Sequence, residues 1–505
     1  MATLPTLAEQ SRSSPLTVEG AIRRIFSFPV LLGVLLFSGS FSLAKDMLFD
    51  PDMWWHLAVG QRILATHAVP WSDTYSSTVA GAPWIAYEWL GEIAIGAAAS
   101  VAGLRSAAAL LVVLSGILVL LLYRYAAVKC GDSKAAFAAC AVLVPVLGAF
   151  FTLRPQLFGA IFLVLTLLIL ERFRQGRSRA LWFLPPLFLL WVNTHGSFVF
   201  GFLVLGIAWL SGQFQFSAGG LFSERWSARQ SIELLLAILA SALVLPITPY
   251  GTRLAAYPLT LAFSQPVNVT SINEWSPLGT GNFVSKYLIV LLLAFFCAVL
   301  AERPRFRLHD VLLAMFGAIA ACLHVRFLLL FVIFLAPLFA ELFARWIPRY
   351  RADIDRPAFN AILIAIIGMG IMFLFPSRRA LGKQSDSEYP RSAVQYLAAH
   401  PVRGTLFNDY GWGGYLIWAV PQPSRVFIDG RADVYEYGGV LADYMSIIRL
   451  EPNTMQLLKK YDIQACLIPR NAALGTALST AGGWARVYED PLAAVYVKQP
   501  GTFTR

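Results

Sequence analysis

The chain has 505 residues, 57% of them hydrophobic and only 14% charged, with a mean hydropathy of +0.63. A soluble globular chain runs nearer roughly 45–50% apolar and about 25% charged, so this is the composition of a membrane protein. Its net charge of +11, from 40 Lys and Arg against 29 Asp and Glu, then reads as a topology signal and not as a nucleic-acid surface.

Residues 1–25 read as a cytoplasmic N-terminal tail, with 1–20 disordered. Apolar runs long enough to span a bilayer, allowing for tilt, lie near 26–44, 106–123, 136–152, 157–171, 181–194, 197–212, 231–248, 284–301, 309–323, 327–344 and 359–376. They define a transmembrane domain at 26–376. The first run resembles a signal peptide in its Arg23-Arg24 flank and the Ser42-Leu43-Ala44 before Lys45. Its apolar stretch is longer than the usual h-region, so it is kept as an anchor. The run at 89–104 is Ala/Gly-rich and carries Glu92; it reads as an interfacial or re-entrant helix within a first outer loop at 45–104.

Basic residues test that choice. With eleven spans and the N-terminus inside, the inner segments hold 19 basic residues; the outer segments before residue 377 hold seven, namely Lys45, Arg62, Arg105, Arg154, Arg253, Lys286 and Arg326. Counting 89–104 as a span puts the basic stretches 171–180 and 301–310 outside, against the positive-inside rule. The inner loops read as simply basic. The five cysteines (Cys130, Cys140, Cys297, Cys322 and Cys466) show neither a disulfide framework nor a zinc spacing.

After Pro376 short β-rich runs ("GTLFN", "SRVFID", "QACLIP", "AAVYVK") alternate with helical patterns ("SAVQYLAAH", "VLADYMSIIR", "NTMQLLKKY"). This predicts a C-terminal extracytoplasmic α/β domain at 377–505. The fold class is thus a polytopic α-helical membrane protein with about eleven transmembrane helices and an α/β domain on its outer face, in a cell (inner) membrane.

The unusual polar residues gather on that same face. Asp50, Asp52, His56 and Glu88 fall in the first outer loop. Arg154 opens a span, Asn193 and His195 sit at one hairpin, Glu274 lies in the long loop 249–283, and His324 and Arg326 occupy the last hairpin. A carboxylate there can take a proton from an attacking hydroxyl or amide, or orient a metal; arginine and histidine can bind a departing phosphate. Each residue also has a plainer reading. Asp52 can be the N-cap of a helix with His56 one turn on, Arg154 can snorkel, and His195 beside Gly196 can belong to a tight turn. Trp54, Trp55, Trp71, Trp84 and Trp89 read as an interfacial belt.

The residues resemble the GT-C superfamily of integral-membrane glycosyltransferases, and most of all the catalytic subunit of oligosaccharyltransferases. The family's acidic DP with following aromatics is matched by Asp50-Pro51-Asp52 and Trp54-Trp55-His56. Its Ser/Thr–Ile/Val–x–Glu motif is matched by Ser271-Ile272-Asn273-Glu274. Its Trp-Trp-Asp-Tyr-Gly motif corresponds to Phe407-Asn408-Asp409-Tyr410-Gly411. The family's second acidic motif is absent: the second outer loop offers only Arg154-Pro155-Gln156. A divalent cation such as Mg or Mn therefore lacks one of its usual ligand sources. Both tryptophans of the third motif are replaced, which leaves the asparagine sequon without its expected reader.

The resemblance implies transfer of a sugar from a polyprenyl-phosphate-linked donor to an extracytoplasmic acceptor. Asp50 or Asp52 would be the catalytic acid, Glu274 an acceptor-side or metal-side carboxylate, and Asp409-Tyr410 a contact from the outer domain. His56, Glu88, Arg154, His195, His324 and Arg326 join the substrate-binding set. A transporter or flippase of lipid-linked or small polar substrates is the second reading, and a non-enzymatic envelope scaffold the third. A transporter places its polar groups near the bilayer midplane on broken helices, whereas here they sit at span ends.

Overall fold

The computed structural model describes residues 18–420 and 425–499. The expected tail therefore lies mostly outside the described residues; its last turns, Val18–Ile25, are helical. Each of the eleven apolar runs is helical over most of its length. Among the described residues six segments are long and apolar enough to cross a membrane: Glu19–Ala44, Leu104–Cys130, Gln156–Arg174, Phe283–Glu302, Val325–Trp346 and Pro357–Leu374. Burial separates centre from rim. The apolar window of Val325–Trp346 is 72% buried, whereas those of Phe283–Glu302 and Pro357–Leu374 are 11% and 6% buried and present their side chains outward.

The expected span at 181–194 does not form as one helix. Pro185 and Pro186 lack amide protons and suit only the first turn, so a 3-10 segment, Ser178–Phe183, leads into a helix of 11 residues, Leu184–Thr194. At 1.5 Å per residue that rises roughly 16 Å, about half a bilayer core.

The opposite end of the bundle from the C-terminal domain is also not simply basic. Lys129 is buried against Asp310 (2.5 Å) and within 3.8 Å of Glu171, which also pairs with Arg307. These pairs tie Leu104–Cys130, Gln156–Arg174 and Leu308–Leu323 together. The two acids lie on different helices from Lys129 and from each other, so linear charge counting misses their convergence.

Two helices of the loop 45–104, Pro51–Thr66 and Trp89–Ala102, cross in contact. A β-carbon on Gly60 would stand 1.9 Å from the Glu92 carbonyl oxygen, so glycine is what lets the backbones touch.

The C-terminal domain is α/β, as its pattern predicts. Its four-stranded sheet runs Thr405–Asn408, Ile463–Pro469, Ala493–Lys498, Trp484–Glu489, with the first pair parallel and the others antiparallel. "SRVFID" is not one of its strands. Val426 exchanges backbone hydrogen bonds with Tyr75 and Ser77 of the first loop (3.0 and 2.8 Å), and Phe427 and Ile428 are buried. The segment 425–437 is a strap that fastens the domain to the membrane portion. Arg431, itself buried, pairs with Asp73 (2.7 Å) and Asp429 (2.6 Å) and lies over the Trp84 ring. Glu436 accepts from the amides of Val267 and Asn268, fixing the loop that carries Glu274.

Candidate active site

The site begins with a helix cap. Asp50, not Asp52, caps Pro51–Thr66: its Oδ1 accepts the Asp52 amide at 2.9 Å. Pro51 takes the first helical position, where no amide proton is needed. The cap puts Asp52 in the first turn, where Trp55 Nε1 donates to its Oδ1 at 3.1 Å. Trp54 points the other way and packs against Tyr389, Tyr415 and Trp418. Trp54, Trp55 and Trp84 are therefore buried and form no belt toward lipid, while Trp71 is exposed. Aromatic area here joins the two domains.

Arg154 does not snorkel. Its Nε and Nη2 donate to the two oxygens of Asp50 (2.6 and 2.8 Å), and its Nη1 reaches Glu274 Oε1 (2.5 Å) and Asp52 Oδ2 (2.9 Å). Three carboxylates from two loops thus converge on one guanidinium. Glu274 sits in the 3-10 turn Asn273–Trp275. His324 Nδ1 donates to the Trp275 carbonyl at 2.6 Å, and Arg326 lies over the Trp275 ring, 4.2 Å from its centroid, a cation–π contact.

A second chain of groups runs beside this cluster. Ser197 donates its backbone amide to His195 Nδ1 (3.1 Å), so the His195 proton resides on Nε2, which faces Glu88 Oε1 at 3.3 Å. Glu88 Oε2 is 3.7 Å from His56 Nε2, and His56 Nδ1 is 3.3 Å from Glu92.

These groups surround a cavity of about 200 Å³, lined by Asp52, His56, Glu88, Arg154, His195, Glu274, Arg326 and Tyr410 among others. Of the catalytic and substrate-binding residues expected from the sequence, three stand apart from its wall. Asp50 lies behind Arg154. Asp409 caps Tyr410–Ala419, accepting the Gly411 amide at 2.9 Å. His324 lines a neighbouring groove of about 480 Å³, which shares Glu88, His195, Trp275 and Arg326 with the cavity and is mostly apolar, with Leu163, Trp191, Phe200, Leu330 and Ile333 along it.

Sequence reading missed Tyr87, Gln156, Asn268 and Asp433 on the cavity wall. Asp433 is held by the Tyr257 hydroxyl. Its one signal in the sequence was the acidic, aromatic stretch "FIDGRADVYEY".

Burial sets the charges. Desolvation pushes Asp52 up to about 7, with Asp50 and Glu274 adding to the rise and Arg154 opposing it. Glu88 is pushed up to about 8 by burial and by the negative charge of Asp52. Burial, then Arg326, brings His195 down to about 3, so it is a neutral donor. For Glu274 burial acts upward, but Arg154 and Arg326 outweigh it and hold the carboxyl below its usual range. Near neutrality the cavity offers a carboxylate poised to accept a proton and a carboxylic acid poised to give one.

A resident divalent cation does not fit this donor set. Of the six oxygens of Asp50, Asp52 and Glu274, four are engaged by Arg154 at 2.5–2.9 Å and a fifth, Asp52 Oδ1, by Trp55 Nε1 at 3.1 Å. Among the described residues no group of three or more His, Cys, Asp or Glu side chains is arranged to hold a metal as the structure stands, with the Arg154 guanidinium set between Asp50, Asp52 and Glu274.

Among solved structures, the chain is similar to the oligosaccharyltransferase of Archaeoglobus fulgidus. The form tethered to an acceptor peptide containing the NVT sequon matches at a TM-score of 0.53 and 13% identity, over 94% of this chain and 74% of that one. The complex with an inhibitory peptide and a dolichol-phosphate matches at a TM-score of 0.50 and 12% identity, over 94% and 74%. ArnT from Cupriavidus metallidurans bound to undecaprenyl phosphate gives a TM-score of 0.48 and 12% identity, over 92% and 97%. No protein-family model and no curated protein matches the sequence. The chain has a GT-C-like membrane fold carrying a C-terminal α/β domain.

Proposed function

We propose that the protein is a membrane glycosyltransferase that moves a sugar from a polyprenyl-phosphate-linked donor to an acceptor on the extracytoplasmic side. One observation carries this reading: the carboxylate-lined cavity is continuous with an apolar groove, with Arg326, His195 and Glu88 at the junction. A prenyl chain in the groove buries apolar surface, at roughly 25 cal/mol per Å². Its phosphate then lies at the junction and its sugar in the cavity. The Archaeoglobus oligosaccharyltransferase with this fold has been solved with a dolichol-phosphate, which supports a donor of the same chemistry here.

Asp52 is the base. It removes the proton of the acceptor's attacking group as that group bonds to the anomeric carbon, and the bond from that carbon to the phosphate oxygen breaks. Arg326 neutralises the departing phosphate, while protonated Glu88 and the Nε2–H of His195 give it hydrogen bonds. Tyr410 supplies a wall from the C-terminal domain. Asp50 holds Arg154 in place, and Asp409 and His324 hold the segments that bear Tyr410 and Trp275.

The test is donor consumption by full-length protein in lipid nanodiscs, using radiolabelled polyprenyl-phosphate sugars. Wild type consumes a donor and Asp52→Asn does not. Passage of the intact donor across vesicles without consumption would instead favour the transporter.

A further inference from the structure

We propose that the Arg154 guanidinium is the permanent cation of the reaction cavity, standing where three carboxylates could otherwise gather a divalent metal ion, so that the protein works without one. The inference deepens the glycosyltransferase reading and rests on it for the chemistry, but not for its main test.

Three observations carry it. First, Asp50, Asp52 and Glu274 come from segments more than two hundred residues apart in the chain, yet all three meet one side chain. Convergence of ionised carboxylates costs repulsion, which a cation between them relieves. Second, the geometry is saturated. Arg154 gives both ends of its fork to Asp50 and the remaining terminal nitrogen to Asp52 and Glu274. Magnesium and calcium bind oxygen at roughly 2.0–2.6 Å, and here that central position holds nitrogen atoms of a group that does not deprotonate. Third, Arg154 is fixed from behind: it leads directly into Pro155 and the helix Gln156–Arg174, and only 16% of its side chain is exposed.

Arg154 is accordingly a positioning residue. It aims the Asp52 carboxylate and supplies one positive charge that never dissociates. Its donors are spent on carboxylates, so it does not grip the lipid phosphate, and that task passes to Arg326.

Manganese binding tests this on the full-length, detergent-purified chain, stripped with EDTA and titrated with Mn²⁺ while free ion is followed by EPR. Wild type is expected to show no saturable site at micromolar Mn²⁺. Arg154→Ala frees the three carboxylates and is expected to take up one Mn²⁺ per chain, lost again in Arg154→Ala with Glu274→Gln. A tight stoichiometric Mn²⁺ site in wild type overturns the proposal. So does an Arg154→Ala protein that unfolds at the wild-type temperature and still binds none. Should the variant fail to fold, the wild-type titration decides alone. None of these readouts needs turnover, so failure of the glycosyltransferase reading registers separately, as absence of donor consumption. If a donor is consumed, wild-type turnover is expected to be unchanged by EDTA, and loss of turnover on chelation with recovery on Mn²⁺ overturns the proposal.

Discussion

Gly430 of the C-terminal domain faces Asp52 of the first loop so closely that a β-carbon on the glycine would stand 1.8 Å from the carboxylate Oδ1 and 2.9 Å from Trp55 Nε1. The glycine is therefore needed for closeness, and it makes the strap 425–437 part of the cavity wall. Alanine there must push the strap away or rotate Asp52 off the Trp55 hydrogen bond. A misplacement of about 1 Å costs on the order of 100-fold in rate. Gly430→Ala should lose about that much turnover while the folded fraction, measured by size exclusion and thermal unfolding, stays near wild type. Full activity would detach the strap from the chemistry.

The two aspartates divide their work in a way substitutions can read. Asp50 is committed to the helix cap and Arg154, whereas Asp52 borders the cavity. Asp52→Asn should cost two to four orders of magnitude, roughly 3–5 kcal/mol of barrier. Asp50→Asn caps nearly as well as aspartate and leaves Arg154 its other two acids, so a loss of about tenfold is expected. Turnover normalised to folded protein separates them, and the reverse order would make Asp50 the base.

Much of this site was legible in the sequence because its residues sit at the ends of apolar runs, where charge is conspicuous. Arg154, His195 and Arg326 were visible that way, and Asp52, Glu88 and Glu274 as acids within the outer loops; they do meet. What periodicity could not reveal was pairing. Whether Asp50 or Asp52 faced the cavity depended on which one capped the helix. Arg154 read equally well as a snorkelling residue or a phosphate ligand until three distant acids were placed around it. "SRVFID" has a strand's composition, yet its backbone pairs with the first loop and not with the sheet. The buried acids Glu171 and Asp310 hid among basic neighbours in sequence and pair only in space.

The pH dependence follows from two raised carboxyls. Asp52, at about 7, acts only when ionised, so turnover should rise as pH climbs through 7. Glu88, at about 8, donates only when protonated, so turnover should fall above 8. The profile is a narrow bell whose limbs belong to the coupled set. Glu88→Gln keeps a hydrogen-bond donor and cannot ionise. It should remain active and lose the alkaline limb, which initial rates from pH 5.5 to 9.5 will show. An unchanged alkaline limb would remove Glu88 from the mechanism.

Orientation is tested independently of catalysis. The bias of 19 basic residues to seven predicts Ser178 inside and Ser387 outside. Single cysteines at these positions in a cysteine-free chain, labelled in intact cells with an impermeant thiol reagent, should react only at 387. Labelling of 178 alone, or of both equally, would move the cavity to the other face of the membrane.

Arg326 is the cation left for the lipid phosphate. It stands over the Trp275 ring at 4.2 Å and borders both the polar cavity and the apolar groove. It also lies at an end where positive charge runs against the topology bias, so it needs a local reason to be there. Guanidinium can hold phosphate through two parallel hydrogen bonds while its flat face stays on the indole; an ammonium offers a point charge and no such plane. If Arg326 served only to snorkel, lysine would replace it freely, since its stem also reaches the interface. Arg326→Lys is therefore expected to keep fold and membrane insertion but lose about 10- to 100-fold in turnover, two charge-assisted hydrogen bonds being weakened together. Arg154→Lys should also lose turnover, through a misaimed Asp52 and not through the phosphate. Competition with a free polyprenyl phosphate tells the two apart: its inhibition constant should rise for Arg326→Lys and stay at the wild-type value for Arg154→Lys. Equal inhibition of wild type and Arg326→Lys would leave the phosphate without this partner.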